Sequence, residues 1–372
     1  MKHIAIIAAF LLIPAAAFAD VGESVNFGAS YPSFSKVIVP AGAEAVVFDT
    51  GESSIPSSPY DTVALHGVMP DAHLSLQIYS AEQGKWLPME SSRFDDGRFW
   101  AKYQFANAGS APVRVRAVDS GLAAKNTLEI YNVEVFLSTS RLMEDNGKND
   151  ISIAASEDGK TVPYVTLDIP LTRRADWGAK PPTEEYTPQQ SLYRITVHHT
   201  EGRQTMTVAD AKKEMTFIQS YHQNTRKWID IGYHFLIDGL GNVYEGRPYN
   251  VYGAHVESNN TGNVGISIMG SYQAPKDNHI TPATLASLEK LIRELMGKQG
   301  VSAKNLYGHR EINATDCPGN NLFPVFTELR SKLQAEVSAS SAEGAGNAAA
   351  ERLGGEYLEK LSQRIGRVVS GW

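Results

Sequence analysis

The sequence predicts two domains of different class, an all-β, sandwich-like domain followed by an α/β domain. Three observations carry that expectation. Residues from about 25 to 136 hold seven short runs of strand-type residues, several alternating apolar with polar and punctuated by Gly, Pro, Ser and Asp. Beyond a polar, turn-rich stretch the period changes, and buried-type strands alternate with segments of helical spacing. With 372 residues, 42% hydrophobic and 20% charged, the chain is long enough for two cores.

The elements follow in order. Lys2, an apolar run from Ile4 to Ile13 and Ala17-Phe18-Ala19 have the layout of a cleavable signal peptide over residues 1–19. No second apolar run of the roughly 20 residues that a membrane span needs follows it. The mature chain is therefore expected to be soluble outside the cytoplasm, in the periplasm or secreted. The formal charge of −7 gives no support for nucleic-acid binding. Strands are predicted at 36–39, 45–48, 62–65, 74–79, 98–103, 113–118 and 128–131, making an accessory β-sandwich of residues 20–137. Trp86, Phe99, Trp100 and Tyr103 lie among them. Aromatics carry sandwich cores, so most of these are expected inside rather than on a glycan-stacking face.

Residues 138–165 are polar and broken by Asp-Asn-Gly and Glu-Asp-Gly clusters, a predicted linker. In the segment 166–336, residues 193–198 read as a buried strand and 207–223 as a helix capped by Thr207. Residues 232–238 and 241–245 read as a hairpin and 264–270 as a further strand. The segment 281–297 reads as a helix opened by Thr-Pro and lined by Leu285, Leu288, Leu291, Ile292 and Leu295. Residues 337–372 are expected to form a mobile linker and an amphipathic helix carrying Leu358, Leu361, Ile365, Val368 and Trp372. That helix either folds back on its own protein or docks on a partner or membrane surface.

Cys317 is the only cysteine, eight positions after His309. Exported proteins use cysteines in pairs, so a lone one needs another reason, and metal ligation is the best available. His198 at a strand end, His309 in Gly308-His309-Arg310 and Cys317 before Pro318-Gly319 supply ligand types that zinc prefers. Two imidazoles and a thiolate leave a fourth tetrahedral position for water, the arrangement of catalytic rather than structural zinc. Any one of the ten histidines taken alone is expected to be structural or solvent-facing.

Eight ordered motifs from about residue 170 to 335 resemble the peptidoglycan recognition proteins and the phage-lysozyme-type N-acetylmuramoyl-L-alanine amidases. They are Arg174-Ala175-Asp176-Trp177-Gly178-Ala179, Val197-His198-His199-Thr200, Gly232-Tyr233-His234-Phe235, Gly241-Asn242-Val243-Tyr244-Glu245-Gly246-Arg247, Gly253-Ala254-His255, Asn263-Val264-Gly265-Ile266-Ser267, Gly308-His309-Arg310 and Thr315-Asp316-Cys317-Pro318-Gly319. The resemblance implies a mixed central β-sheet flanked by helices, with Zn2+ held by His198, His309 and Cys317. It further implies Tyr233 and Thr315 as catalytic residues, Thr315 standing where some members have lysine. The implied activity is hydrolysis of the amide joining the lactyl group of N-acetylmuramic acid to L-alanine, with peptidoglycan or muropeptides as partners. His255 could touch glycan or stem peptide, and Arg247 is expected either to meet a stem-peptide carboxylate or to form a structural salt bridge. His199 is expected to face the opposite side of its strand from His198. The alternative is a receptor that binds muropeptides without cleaving them; a zinc peptidase of another type is disfavoured because His-Glu-x-x-His is absent.

Overall fold

The computed structural model describes residues 23–25, 27, 45–69, 71–120, 128–138, 161–274 and 276–339. The expected signal segment, the strand at 36–39 and the C-terminal helix lie outside the described residues. No described helix is long and apolar enough to cross a membrane. The chain divides into two compact units, residues 1–144 with Asn224–Lys227 and residues 145–223 with 228–372.

The first unit holds β1 (Glu23–Ser24), β2 (Ala45–Asp49), β3 (Tyr60–Val68), β4 (Leu74–Ser80), β5 (Lys85–Pro88), β6 (Glu90–Arg93), β7 (Arg98–Gly109), β8 (Val115–Asp119) and β9 (Glu129–Phe136). They form two antiparallel sheets, ordered β1-β9-β3-β7-β6 and β2-β8-β4-β5. Alternate residues of both sheets meet in one core, among them Val63 and Leu65 of β3, Leu74, Leu76 and Ile78 of β4, Phe99 of β7, and Val115 of β8. This is the sandwich that the alternation predicts. Strands β5 and β6 escape the pattern because Lys85-Trp86-Leu87-Pro88 is too short to show an alternation and Glu90-Ser91-Ser92-Arg93 is polar; Met89 between them turns inward as the chain passes from one sheet to the other. Phe99 and Trp100 are buried. Trp86 is half-buried beneath the Arg116 guanidinium, 4.3 Å from its ring centroid.

The second unit is a mixed six-stranded sheet with helices. Its elements are β10 (Leu171–Thr172), α1 (Arg174–Trp177), β11 (Arg194–His199), α2 (Val208–Asn224), β12 (Phe235–Ile237), β13 (Val243–Glu245), β14 (Asn263–Ile268), α3 (Pro282–Gln299), β15 (Leu306–Gly308) and α4 (residues 323–339). The strand order is β10-β13-β12-β14-β11-β15, with β12 and β13 antiparallel and the other pairs parallel. Parallel strands are covered on both faces and read as continuous apolar runs, which is why all six residues of β14 are buried.

Local chemistry explains the boundaries. Thr207 caps α2 by accepting from the Asp210 amide at 3.1 Å, and Thr281 caps α3 by accepting from the Thr284 amide. The β12–β13 turn is built on Asp238, whose buried carboxylate accepts from the Leu240 and Asn242 amides, the Asn242 side chain and the Tyr244 hydroxyl. The packed chain begins before residue 166, where the sequence placed the start of this domain. Val162 joins the core, and the Val165 amide donates to the Tyr249 hydroxyl at 2.6 Å. Polar neighbours hide these few anchoring residues from a compositional reading.

His234, one residue before β12, illustrates what burial does to a titratable group. Its Nδ1 accepts from the Gly265 amide at 2.9 Å, so Nε2 carries the proton and donates to the Val251 carbonyl at 3.0 Å. Burial lowers its pKa to about 4, against the opposing effect of the Val251 bond. The unfolded chain protonates this imidazole near its ordinary value of about 6.5, so the folded state loses relative stability as pH falls from about 6.5 to about 4. One such group contributes up to roughly 3 kcal/mol across that window. Urea midpoints measured from pH 7.5 to 4.5 should fall on the acid side, and the non-titrating His234→Gln should show a shallower fall. Equal slopes would show that His234 is not a source of acid sensitivity.

Candidate metal centre

Two adjacent parallel strands bring the first two ligands together. In β11 and β15, Val197 lies opposite Gly308, so the next residues along each strand, His198 and His309, emerge side by side at the carboxyl edge of the sheet. Their ring centroids are 4.6 Å apart. After β15 the chain makes a 3-10 turn at His309–Glu311, which Glu311 fixes by accepting from the Gly308 amide at 2.8 Å. It then returns so that the Arg310 amide donates to the Cys317 carbonyl at 2.8 Å. That return sets Cys317 Sγ 3.6 Å from His198 Nδ1. The three candidate ligand atoms lie within 4.8 Å of one another, on residues 1% exposed for His198 and 8% for His309 and Cys317.

The electrostatics of the two imidazoles suit a metal. Burial holds His198 well below the ordinary histidine pKa, with the neighbouring histidines adding to the effect. Burial, then the nearness of His199, lowers His309 to about 4. Both imidazoles are therefore neutral at physiological pH, the form that ligates. Burial pushes the Cys317 thiol up, against a bond that Sγ accepts from the His199 amide at 3.4 Å. His309 Nε2 is buried with no hydrogen-bond partner. An unsatisfied buried imidazole nitrogen is costly. Among the described residues the group has three members. Two nitrogens and one sulfur are a donor set that zinc favours, with one tetrahedral position left open.

Tyr233 and Thr315 flank the group. The half-buried Tyr233 ring stands 5.3 Å from that of His198. Thr315 is half-buried two residues before the cysteine, and its hydroxyl accepts from the Cys317 amide at 3.2 Å. Arg247 and His255 are both buried. The Arg247 guanidinium is buried and donates to the carbonyls of Ile231 at 2.7 Å and Tyr252 at 3.0 Å. His255 is 7% exposed and hydrogen-bonded to His198. The loop that carries it folds inward because its neighbour Ala254 also joins the interior, its amide donating to the Gly232 carbonyl at 2.9 Å.

Three further residues border the group. The His199 amide reaches Cys317, as above, while its ring Nδ1 accepts from the Tyr272 amide at 3.2 Å and its Nε2 lies 3.4 Å from Glu201. Glu201 holds a left-handed φ of 52°, uncommon for a residue with a side chain. His222 of α2 accepts from the Gly232 amide at 3.0 Å and packs 5.7 Å from the Tyr233 ring. The strand period had already set His199 apart from His198; nothing in the sequence distinguishes His222 from other helix-borne polar residues.

Residues 188–320 match the family described as N-acetylmuramoyl-L-alanine amidase. Peptidoglycan-recognition protein SC2 of Drosophila simulans is 37% identical over 158 residues, which cover 42% of this chain and 84% of that protein. Peptidoglycan-recognition protein SD of Drosophila melanogaster is 33% identical over 171 residues, covering 46% of this chain and 91% of that protein. The crystal structure of Drosophila peptidoglycan recognition protein SD covers 42% of this chain and 93% of its own, with 31% identity and a TM-score of 0.40. Through its second unit, the chain belongs to the family of N-acetylmuramoyl-L-alanine amidases and peptidoglycan-recognition proteins.

Proposed function

We propose that this protein is a zinc-dependent N-acetylmuramoyl-L-alanine amidase of the periplasm. It would cleave the amide between the lactyl group of N-acetylmuramic acid and L-alanine in peptidoglycan. The observation that carries the reading is the convergence of His198, His309 and Cys317 from three separate segments, buried, neutral in both imidazoles, and with His309 Nε2 unpartnered. Zinc so held supplies Lewis acidity and an activated water at neutral pH.

The chain's own residues do the rest. The Tyr233 phenol, beside His198, can position the attacking water or donate to the developing oxyanion. The Thr315 hydroxyl accepts from the Cys317 amide and keeps its own proton for the same oxygen. Threonine is neutral where lysine is charged, so stabilisation from this side is dipolar. A receptor that only binds muropeptide has no need of three converging ligands. The name recognition protein borne by relatives keeps that second reading in view. Mass spectrometry of products from purified sacculi separates the two: free stem peptides beginning with L-alanine support the amidase, and unaltered sacculi support the receptor.

Metal analysis of the purified protein should find about one zinc per chain. Cys317→Ser should lose most of that metal along with peptide release, and a variant with full zinc and full activity would remove Cys317 from the site.

Tyr233→Phe should keep its zinc, because the phenol is not among the ligand atoms. Its amide cleavage should slow on the order of 10²-fold or more, the usual cost of a lost oxyanion donor. An unchanged rate would take Tyr233 out of the mechanism.

A further inference from the structure

Behind the metal-facing edge of His198 runs a chain of hydrogen bonds whose directions are fixed at one end. The Asn263 carbonyl can only accept, and His255 Nε2 lies 3.2 Å from it. The proton of His255 is therefore on Nε2, and its Nδ1 carries a lone pair. That lone pair faces His198 Nε2 at 3.0 Å, so His198 must hold its own proton on Nε2 and donate it. What remains is the lone pair on His198 Nδ1, the atom 3.6 Å from Cys317 Sγ. Backbone geometry at Asn263 thus dictates, through two imidazoles, which nitrogen of His198 is free.

His255 is held too firmly for either ring to turn. The two rings meet edge to face, at 87° and 5.0 Å between centroids. The His255 and Val256 amides both donate to Asn260 Oδ1 at 2.9 Å, which fixes the backbone beneath the ring. Two glycines form the slot: a Cβ on Gly253 would lie 2.5 Å from His255 Cδ2, and one on Gly265 would lie 2.6 Å from both Cγ and Cδ2. No side chain fits at either position. The Gly253-Ala254-His255 and Asn263-Val264-Gly265 segments are thereby explained together, one bringing the ring and the other receiving it.

We propose that His255 is a positioning residue of the metal centre, which locks His198 as the Nε2-protonated tautomer and presents Nδ1 to the metal. It rests on reading His198, His309 and Cys317 as zinc ligands. An imidazole left free to hold its proton on Nδ1 cannot ligate through that atom until the tautomer shifts. Partners of this kind typically govern 10- to 100-fold in metal affinity. His255 would touch neither metal nor substrate, and its effect would pass through His198.

The test has two parts, both on the full chain. Long-range 1H–15N correlation spectra of the metal-free wild type should show His198 with a protonated Nε2 and an unprotonated Nδ1; the opposite assignment overturns the proposal whatever the variants do. Zinc affinity, measured by competition with a chromophoric chelator, should drop by about 10- to 100-fold in His255→Phe, which can neither accept nor donate. It should largely recover in His255→Gln, whose amide can accept from His198 and donate to Asn263. Wild-type affinity in a folded His255→Phe overturns the role of His255 while leaving the metal centre standing. Failure of the wild type itself to bind zinc refutes the metal centre, and the proposal falls with it. Should His255→Phe not fold, the wild-type tautomer decides alone.

Discussion

The parallel pairing of β11 with β15 is the constraint on which the site depends. The Val197–Gly308 register sets His198 level with His309, and a slip of one residue on either strand would turn one imidazole to the opposite face. The register is enforced by burial, since Ile195, Val197 and Leu306 are inaccessible to solvent and fill the same core as Leu291 of α3 and Phe326 of α4. Packing far from the metal centre therefore holds the ligands in place. Cys317 joins through a loop, and that loop is tied by the Arg310 to Cys317 backbone bond and by the Thr315 hydroxyl.

The same burial that positions the ligands sets their chemistry. In a solvated site the two imidazoles would titrate near neutrality; here desolvation keeps them neutral far into the acid range. Buried imidazoles need partners, and the cluster supplies them in an ordered way. His234 is satisfied by Gly265 and Val251, and His255 by Asn263 and His198. Not every nitrogen of the cluster is satisfied, and His309 Nε2 is buried with no hydrogen-bond partner.

Much of this was legible in the sequence, for identifiable reasons. Alternation marked most of the sandwich strands, but β1 and β5 are too short to show it and β6 is polar throughout. Thr207 and Thr281 announced their helices because capping is a local interaction. The ligand types at His198, His309 and Cys317 stood out because the cysteine is alone. The positions of Arg247 and His255 did not, because whether a loop folds inward depends on what packs beneath it. The Gly253 and Gly265 slot is a contact between segments that no local pattern encodes.

Arg247 shows how a residue outside the chemistry can still govern it. Its guanidinium donates to the Ile231 carbonyl and its amide to the Tyr233 carbonyl at 2.9 Å. Around these contacts the segment from Asp230 to His234 is held at every residue. Asp230 pairs with Arg174 at 2.8 Å and accepts from Gln219 at 2.6 Å. The Gly232 amide donates to His222, and its carbonyl accepts from Ala254. The His234 amide donates to the Gly265 carbonyl at 3.0 Å. Tyr233 thus projects from backbone that is fixed on both sides. The Arg174 and Arg247 motifs therefore accompany the ligand motifs in one sequence pattern for a physical reason. The ligands fix where a metal can sit, and the two arginines fix the segment that carries Tyr233 beside it.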